Sequence, residues 1–269
     1  MDTMELIMLG TGNAAVTHCY NTCFAIRMGE RVLLVDAGGG NGILVQMEKA
    51  GLSLADVKDM FITHAHTDHI LGAVWVIRMI AQQMQKGKYE GEFRVYGHDK
   101  VIDVLSWICR ATLPAKIVTC IEKNVRFCEV KDGERWEVAG ASMQCFDILS
   151  TKEKQFGFRL ELPGGKSLVC LGDEPYKEQN RSYVEHADWL LCEAFCLYAD
   201  RDEFKPYEKH HSTALDAGRL AAQLGVKNLL LYHTEDKTLS VRKEKYTQEA
   251  AQEFKGNVYV PDDLEKIVL

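Results

Sequence analysis

A short cluster of histidines and an aspartate constrains this chain more than any other feature. Segment 63–69, THAHTDH, holds three histidines and one aspartate, and it joins the apolar run VKDMFITH to the helix-like run ILGAVWVIRMIAQQM. Side chains alternate along an extended segment, so His64 and His66 are predicted to project to one side, while Asp68 and His69 follow where a helix begins. Imidazole and carboxylate donors suit Zn²⁺ and similar divalent ions. The segment therefore predicts a metal site at a strand–helix junction.

Motifs elsewhere in the chain occur in an order that resembles a known family. An HxHxDH segment after an apolar strand is the hallmark of the metallo-β-lactamase superfamily. The chain is similar to the ribonuclease Z and phosphodiesterase-like branch of that superfamily in five further segments, found between about residue 6 and residue 233: LGTGNA, LLVDAGGG, VCLGDE, HHSTALDAG and LLLYH. The resemblance implies a metal-dependent hydrolase with an α/β fold, a four-layer αββα sandwich.

The resemblance also implies a set of site residues. The metal-binding positions of the family correspond to His64, His66, Asp68, His69, Asp173 and His233. The family counterpart of Asp173 bridges two ions. The catalytic positions correspond to Asp68, to His211 and to Glu193, whose family counterpart pairs with that histidine. From the residues alone, Asp173 could instead cap a turn, His233 could be a satisfied core histidine, and Glu193 could end its strand in a salt bridge. The expected cofactor is one or two divalent metal ions, zinc first, with manganese or iron as alternatives.

One metal-binding position departs from the family pattern. The family carries a histidine six residues before the glycine of a G-Y/F-R strand, and in TKEKQFGFR that position is Thr151. The first metal position then keeps His64, His66 and Asp173, whereas the second keeps its full set of ligands. A water molecule or Glu153 could complete the first position. A single-metal enzyme, weaker occupancy of the first position and lost activity all remain open.

The segment after Thr151 bears on the substrate. Ribonuclease Z enzymes that process tRNA carry a long arm here, but only 21 residues separate Thr151 from Asp173, and the net charge of the chain is −7. These features favour a small-molecule substrate over nucleic acid. The leading hypothesis is hydrolysis of a phosphodiester or related small ester by metal-activated water. The alternatives are an armless ribonuclease Z-like endoribonuclease, a thiolester or lactone hydrolase, and a non-catalytic metal- or ligand-binding member of the fold.

Composition and local patterns predict one globular α/β domain over residues 1–269. Hydrophobic residues make up 46% of the chain and charged residues 26%, which is an ordinary globular balance. Groups of apolar strands alternate with helical patterns, and this arrangement predicts two packed sheets covered by helices. Residues 92–138 are harder to place: RVYG, VRFCEV and RWEVAG read as strands, and DKVIDVLSWICRAT reads as an amphipathic helix.

The cysteines and the N-terminus predict the compartment. Nine cysteines occur without a C-x-x-C pair, and several lie within apolar runs, so we expect buried, reduced thiols. The first residues, MDTMELIMLG, do not resemble a signal peptide, and no run reaches the roughly 18 apolar residues that cross a bilayer. The prediction is a cytoplasmic protein without a membrane partner, for which a homodimer remains open.

Overall fold

The computed structural model of the protein describes residues 4–269 and places fourteen strands in two sheets. The first six strands are β1 (Met4–Gly10), β2 (Cys23–Met28), β3 (Arg31–Val35), β4 (Val57–Phe61), β5 (Phe93–Gly97) and β6 (Val125–Glu129). The next seven are β7 (Arg135–Val138), β8 (Ala141–Asp147), β9 (Phe156–Glu161), β10 (Ser167–Cys170), β11 (Trp189–Glu193), β12 (Asn228–Tyr232) and β13 (Asn257–Tyr259). The last, β14 (Lys266–Val268), returns to the edge of the first sheet beside β1.

Helices cover the outer face of each sheet. The first sheet is covered by α1 (Gly42–Ala50), α2 (Thr67–Gln85), α3 (Asp99–Thr112) and α4 (Ala115–Asn124). The remaining helices are α5 (Arg181–Val184), α6 (Arg201–Phe204), α7 (Ala214–Leu224) and α8 (Leu239–Ala250), of which α5, α7 and α8 cover the second sheet. Three short 3₁₀ turns lie at Glu178–Asn180, Tyr198–Asp200 and Tyr207–Lys209. The predicted αββα sandwich is confirmed.

The alternation of apolar side chains along the strands produces these layers. In β1, Leu6 and Met8 belong to the cluster between the two sheets, whereas Ile7 and Leu9 pack with the helices on the outer face. Leu230 of β12 likewise faces the other sheet, and its neighbour Leu229 faces α7 and α8. Because both faces of these strands are apolar, each sheet must be covered on both sides.

The strand order brings the carboxyl ends of several strands to one edge of the sandwich. In the first sheet, pairing is antiparallel from β14 through β3 and parallel from β3 to β6. In the second sheet, it is antiparallel from β7 to β10 and parallel from there to β13. Ligand sites of open α/β sheets lie beyond the carboxyl ends of parallel strands. The segments after β3, β4, β10, β11 and β12 carry the candidate site residues.

Most predicted elements are present, and the differences lie in the polar parts of the chain. A hairpin around Gly29 joins β2 to β3, and α3 has the bounds of the predicted amphipathic helix. No element was predicted for α4, α8, β13 or β14. The charged helix α8 buries Arg242 and Glu249 together with Tyr246 and Ala250, so the apolar periodicity that reveals a helix is interrupted. Residues 178–184 form a 3₁₀ turn followed by the four-residue α5.

The cysteines and the lengths of the helices bear on the predicted compartment. All nine cysteines are free, and seven of them are buried. Among the residues that the structure describes, no helix is both long enough and apolar enough to cross a bilayer.

Helix α2 packs closely on the turn that follows β3, and Gly72 makes this contact possible. Gly72 N donates to Gly38 O at 2.8 Å, and a Cβ at Gly72 would lie 1.8 Å from Ala37 O. Any larger residue must therefore push α2, which carries Asp68 and His69, away from this turn.

We predict that Gly72→Ala lowers the free energy of unfolding by about 1–3 kcal/mol, the usual range for overpacking. Helix propensity alone would give the opposite sign, a gain of about 1 kcal/mol. Urea unfolding measures the effect. Gly40→Ala serves as the control, because a Cβ at Gly40 would meet no atom within 4 Å. A Gly72→Ala protein as stable as the wild type would show that this contact is not tight.

Candidate metal centre

Three of the predicted ligands form a first group at the end of β4, which we call the first half-site: His64, His66 and Asp173. His64 Nε2 lies 2.9 Å from His66 Nδ1 and 3.5 Å from Asp173 Oδ2. One ligand atom from each of the three residues falls within 4.8 Å of the others. The two histidines project from the extended segment before α2, while Asp173 comes from the turn after β10 in the other sheet.

The other three predicted ligands form the second half-site: Asp68, His69 and His233. Asp68 Oδ2 lies 3.4 Å from His69 Nε2 and 3.7 Å from His233 Nε2. Asp68 and His69 occupy the first turn of α2, and His233 follows β12 directly. Their ligand atoms also lie within 4.8 Å of one another, and all three side chains are buried.

Asp173 Oδ2 is common to both half-sites. It lies 3.5 Å from His64 Nε2, 3.5 Å from His233 Nε2 and 3.7 Å from His69 Nε2. These imidazoles come from two different sheets, so one carboxylate oxygen faces ligands of both half-sites. The structure thus brings all six predicted metal-binding residues to one place.

Unpartnered atoms test whether the residues fit a cation. His69 Nε2 and both ring nitrogens of His233 are buried and have no hydrogen-bond partner among residues 4–269. Buried polar atoms in native proteins are nearly always satisfied, and leaving one unpaired costs about 1–3 kcal/mol. Nitrogen lone pairs that converge with carboxylate oxygens are the donor set of zinc and similar divalent ions. The residues therefore fit a divalent cation.

The electrostatics of the cluster favour the ionised carboxylates. Burial alone would raise the pKa of Asp173, but His64, His233 and His69 together lower its pKa well below the ordinary range. Burial likewise opposes ionisation of Asp68, but the nearby charges of His69 and His233 lower its pKa well below the ordinary range.

The pKa values of His64 and His69 shift in opposite directions. Burial lowers the pKa of His64 well below its usual value. Burial also disfavours the charged form of His69, but the carboxylates of Asp36 and Asp68 outweigh it and raise the pKa of His69. The same negative charge that holds a proton on His69 would hold a divalent cation in its place.

Asp36 supports the centre from behind, a role that the sequence analysis did not assign. It follows β3 in the LLVDAGGG segment, and its Oδ2 accepts hydrogen bonds at 2.8 Å from His69 Nδ1 and from Thr63 Oγ1. Its Oδ1 accepts from Thr63 N at 2.8 Å, and Thr63 Oγ1 lies 2.9 Å from His64 Nδ1. Asp36 thus orients His69 directly and His64 through Thr63, so that the Nε2 atoms of both rings face the cluster. The D-x-G turn was the available signal.

Two backbone positions at the centre adopt a conformation that non-glycine residues rarely take. Asp36 has φ 54° and His233 has φ 59°, both in the left-handed region. Surrounding contacts must hold such positions in place. Around His233 the LGTG loop supplies them, because Thr234 N donates to Thr11 O and Asn13 N donates to Thr234 O. The buried Arg242 adds hydrogen bonds to the hydroxyls of both threonines.

Glu193 and His211 lie together beside the second half-site. Glu193 Oε2 is 3.7 Å from His211 Nδ1, and the pair forms a third group with His233. Burial raises the pKa of Glu193 to about 8, and burial together with His233 lowers the pKa of His211 to about 3. The two side chains are therefore neutral near pH 7. The hydrogen bonds of Glu193 Oε1 come from Ser212 N and Oγ, at 2.5 and 2.7 Å.

The position of the missing histidine lies outside both half-sites. Thr151 is exposed, and its Oγ1 lies 3.2 Å from His210 Nδ1. Glu153, the candidate replacement, accepts a hydrogen bond from Lys100 Nζ at 2.6 Å through Oε2. The side chain that does reach the first half-site is Gln155, which contacts both His64 and Asp173 and which sequence reasoning missed.

Comparisons with known proteins identify the family. The family model described as "Anti-Pycsar protein Apyc1" matches residues 4–255. The chain belongs to this family. A ribonuclease Z of Thermococcus sibiricus is 26% identical over 311 aligned positions, which cover 99% of this chain and 96% of that protein.

Solved structures of the same fold cover nearly the whole chain. The metallo-beta-lactamase fold protein YhfI from Bacillus subtilis has a TM-score of 0.80 at 19% identity, with 99% of each chain covered. The short form of human tRNase Z (ELAC1) has a TM-score of 0.75 at 20% identity, with 98% of each chain covered. The superfamily and its ribonuclease Z and phosphodiesterase-like branch are confirmed, as is the class of metal-dependent, phosphodiesterase-type hydrolase.

We predict that Asp36→Asn weakens zinc binding about 10- to 100-fold, the usual effect of losing a partner behind a ligand. The amide cannot accept hydrogen bonds at both ends, so His69 or Thr63 loses its fixed orientation. Competition with a chromogenic chelator measures the affinity. Asp188→Asn is the control, since Asp188 accepts from Ser167 N at 2.8 Å and pairs with Lys227, away from the half-sites. Equal zinc affinities for Asp36→Asn and wild type would contradict the role given to Asp36.

Proposed function

We propose that the protein hydrolyses a phosphodiester or related ester of a small molecule at a centre of two divalent ions. The observation that carries the proposal is the position of Asp173 Oδ2, which faces the Nε2 atoms of His64, His69 and His233 within 3.7 Å. A carboxylate oxygen shared by two groups of buried ligands suits a pair of neighbouring cations.

The two half-sites would hold the ions unequally. His64, His66 and Asp173 would hold one, and Asp68, His69, Asp173 and His233 would hold the other. Zinc is the metal that this set of nitrogen and oxygen donors favours, and manganese and iron remain candidates. When bound, such ions supply Lewis-acid activation of water and of the ester oxygens.

Residues beside the half-sites would complete the chemistry. His211 lies next to the second half-site, where its ring stacks on Phe195 with 4.8 Å between centroids and lies 5.2 Å from the ring of His233. The Nδ1 atom of His211 faces Glu193, so its other ring nitrogen is the one available to donate a hydrogen bond that stabilises charge on the phosphoryl group. Glu193 would position His211, and Asp68 would align the attacking water.

The connection between β9 and β10 favours a small substrate. The two strands are joined by a tight turn in which Leu162 N donates to Lys166 O at 2.8 Å, with Gly164 and Gly165 at positive φ. This turn occupies the place where tRNA-processing relatives are expected to carry their arm. The net charge of −7 also disfavours a polyanionic partner.

The second candidate is an armless ribonuclease Z-like endoribonuclease. It is favoured by relatives named ribonuclease Z that match nearly the whole chain, such as the Thermococcus sibiricus protein at 26% identity. Both candidates use the same phosphodiester chemistry and differ in the size of the substrate.

We predict that the double variant His69→Ala/His233→Ala no longer retains metal and unfolds at a lower temperature than wild type. Metal-binding free energy adds to folding free energy, so loss of the ion lowers stability. Elemental analysis and thermal unfolding measure the two effects. His98→Ala is the matched control, because His98 is fully buried but belongs to none of the three ligand groups. Unchanged metal content in the double variant would refute the second half-site.

We predict that the protein turns over bis(p-nitrophenyl) phosphate in the presence of Zn²⁺, Mn²⁺, Co²⁺ or Fe²⁺ and cleaves precursor tRNA only slightly. Both substrates contain a phosphodiester, so their ratio reports on recognition of the tRNA body. The His69→Ala/His233→Ala protein controls for contaminating hydrolases. Efficient 3′-end cleavage of a precursor tRNA at physiological salt would favour the endoribonuclease instead.

A further inference from the structure

Gln155 is a buried amide that touches ligands from both sheets. It lies immediately before β9, with only 1% of its surface exposed. Its Nε2 lies against Asp173 Oδ1, within hydrogen-bond reach, and 2.8 Å from His64 Nδ1. Its Oε1 accepts a hydrogen bond from Asp173 N at 3.0 Å. One side chain therefore contacts the backbone and the carboxylate of Asp173 as well as the ring of His64.

The chemistry of Asp173 fixes the orientation of this amide. The backbone N–H of Asp173 requires an acceptor, and its carboxylate oxygen requires a donor. A flipped amide would place Oε1 against Oδ1 and the NH₂ group against the backbone N–H, so that both contacts would be repulsive. Gln155 must therefore donate to Asp173 Oδ1.

The backbone around Gln155 holds the amide in place. A Cβ at Gly172 would lie 2.2 Å from Gln155 Oε1, so the glycine of the LGD segment makes room for the amide. Phe156 N donates to Thr63 O at 3.0 Å, which ties the start of β9 to the segment that carries His64. Gln155 thus lies at a fixed point between the two sheets.

Because Oδ1 of Asp173 is bound by Gln155, Oδ2 is the oxygen that remains for cations. Oδ2 is also the atom that faces His64, His69 and His233. The hydrogen bond from Gln155 Nε2 to Oδ1 opposes rotation of the carboxylate, and the second hydrogen bond, from Asp173 N to Gln155 Oε1, fixes the amide that makes it.

We propose that Gln155 is a positioning residue that restricts Asp173 to one ligand oxygen and thereby sustains the first half-site, to which Thr151 contributes no ligand. The inference rests on the metal centre of the proposed function. Tight binding by three side chains requires that they be held in advance, and Gln155 holds Asp173 by two hydrogen bonds while it packs against the ring of His64.

The test compares Gln155→Met with Gln46→Met. Methionine matches the length of glutamine but has no donor. Gln46 is a matched control because it is also buried, and its Nε2 donates to Leu9 O at 2.6 Å, away from the half-sites. Both variants should lose stability in the metal-free state. We expect Gln155→Met alone to weaken the more loosely bound zinc equivalent about 10- to 100-fold in chelator competition.

The possible results distinguish failure of the metal centre from failure of the role proposed for Gln155. A wild-type protein that binds no zinc, manganese, cobalt or iron would refute the metal centre and with it the proposed function. A wild type that binds zinc, together with a Gln155→Met protein of equal affinity, would overturn the role of Gln155 alone. Equal losses of affinity in Gln155→Met and Gln46→Met would also overturn it, because the effect would then be general destabilisation.

A second variant covers the case in which Gln155→Met does not fold. Gln155→Glu keeps the size of the side chain and the acceptor for Asp173 N but removes the donor to Oδ1. Oδ1 then becomes free to coordinate, so the cobalt(II) protein should show weaker visible absorption, as expected when coordination number rises. A cobalt spectrum identical to that of the wild type would overturn the proposal.

Discussion

The contacts of the Asp173 carboxylate with three imidazoles are the interaction on which the rest of the centre depends. The carboxylate is buried, and one of its oxygens lies within 3.7 Å of the Nε2 atoms of His64, His69 and His233. A buried carboxylate without partners would take up a proton, but here the surrounding imidazoles keep it ionised. Because those imidazoles come from both sheets, the charge of one residue links the two halves of the sandwich.

The topology explains why so many polar groups meet at one edge. Each sheet changes from antiparallel to parallel pairing part-way across, and the segments beyond the carboxyl ends of the parallel strands face each other. In two of these segments a residue, Asp36 or His233, adopts the left-handed backbone conformation. Surrounding hydrogen bonds hold both residues in place. Strain of this kind persists only where the structure around it is rigid. Any ion bound there would join both sheets and stabilise the whole fold.

Strands, helices and motifs could be predicted from the sequence where their pattern lies within one short segment. Apolar runs predicted strands such as β1 and β12, and the HAHTDH segment predicted the strand–helix junction. Resemblance supplied the order in which Asp173, Glu193, His211 and His233 reach the same edge, and the structure brings each of them to it. Patterns of this kind cannot reveal contacts between distant segments.

Gln155 and Asp36 illustrate that limit. A glutamine before a strand carries no signal of its own, because its role depends on Asp173, 18 residues away, and on His64, 91 residues away. Asp36 lay within a recognised turn, yet only the fold shows that it holds His69. Helix α8 was missed for a related reason, since its buried face includes Arg242, whose partners are Thr11 and Thr234.

The two half-sites differ in how they are supported, and this difference bears on the missing histidine. The second half-site has Asp36 behind His69 and the LGTG loop around His233. The first has three candidate ligands, and one of them, His66, is only half-buried. Catalytic zinc sites keep three protein ligands and leave one position open, whereas structural sites are closed. Because Thr151 contributes no ligand, an ion at the first half-site would keep a position open to water and substrate, which is the arrangement that catalytic zinc sites share.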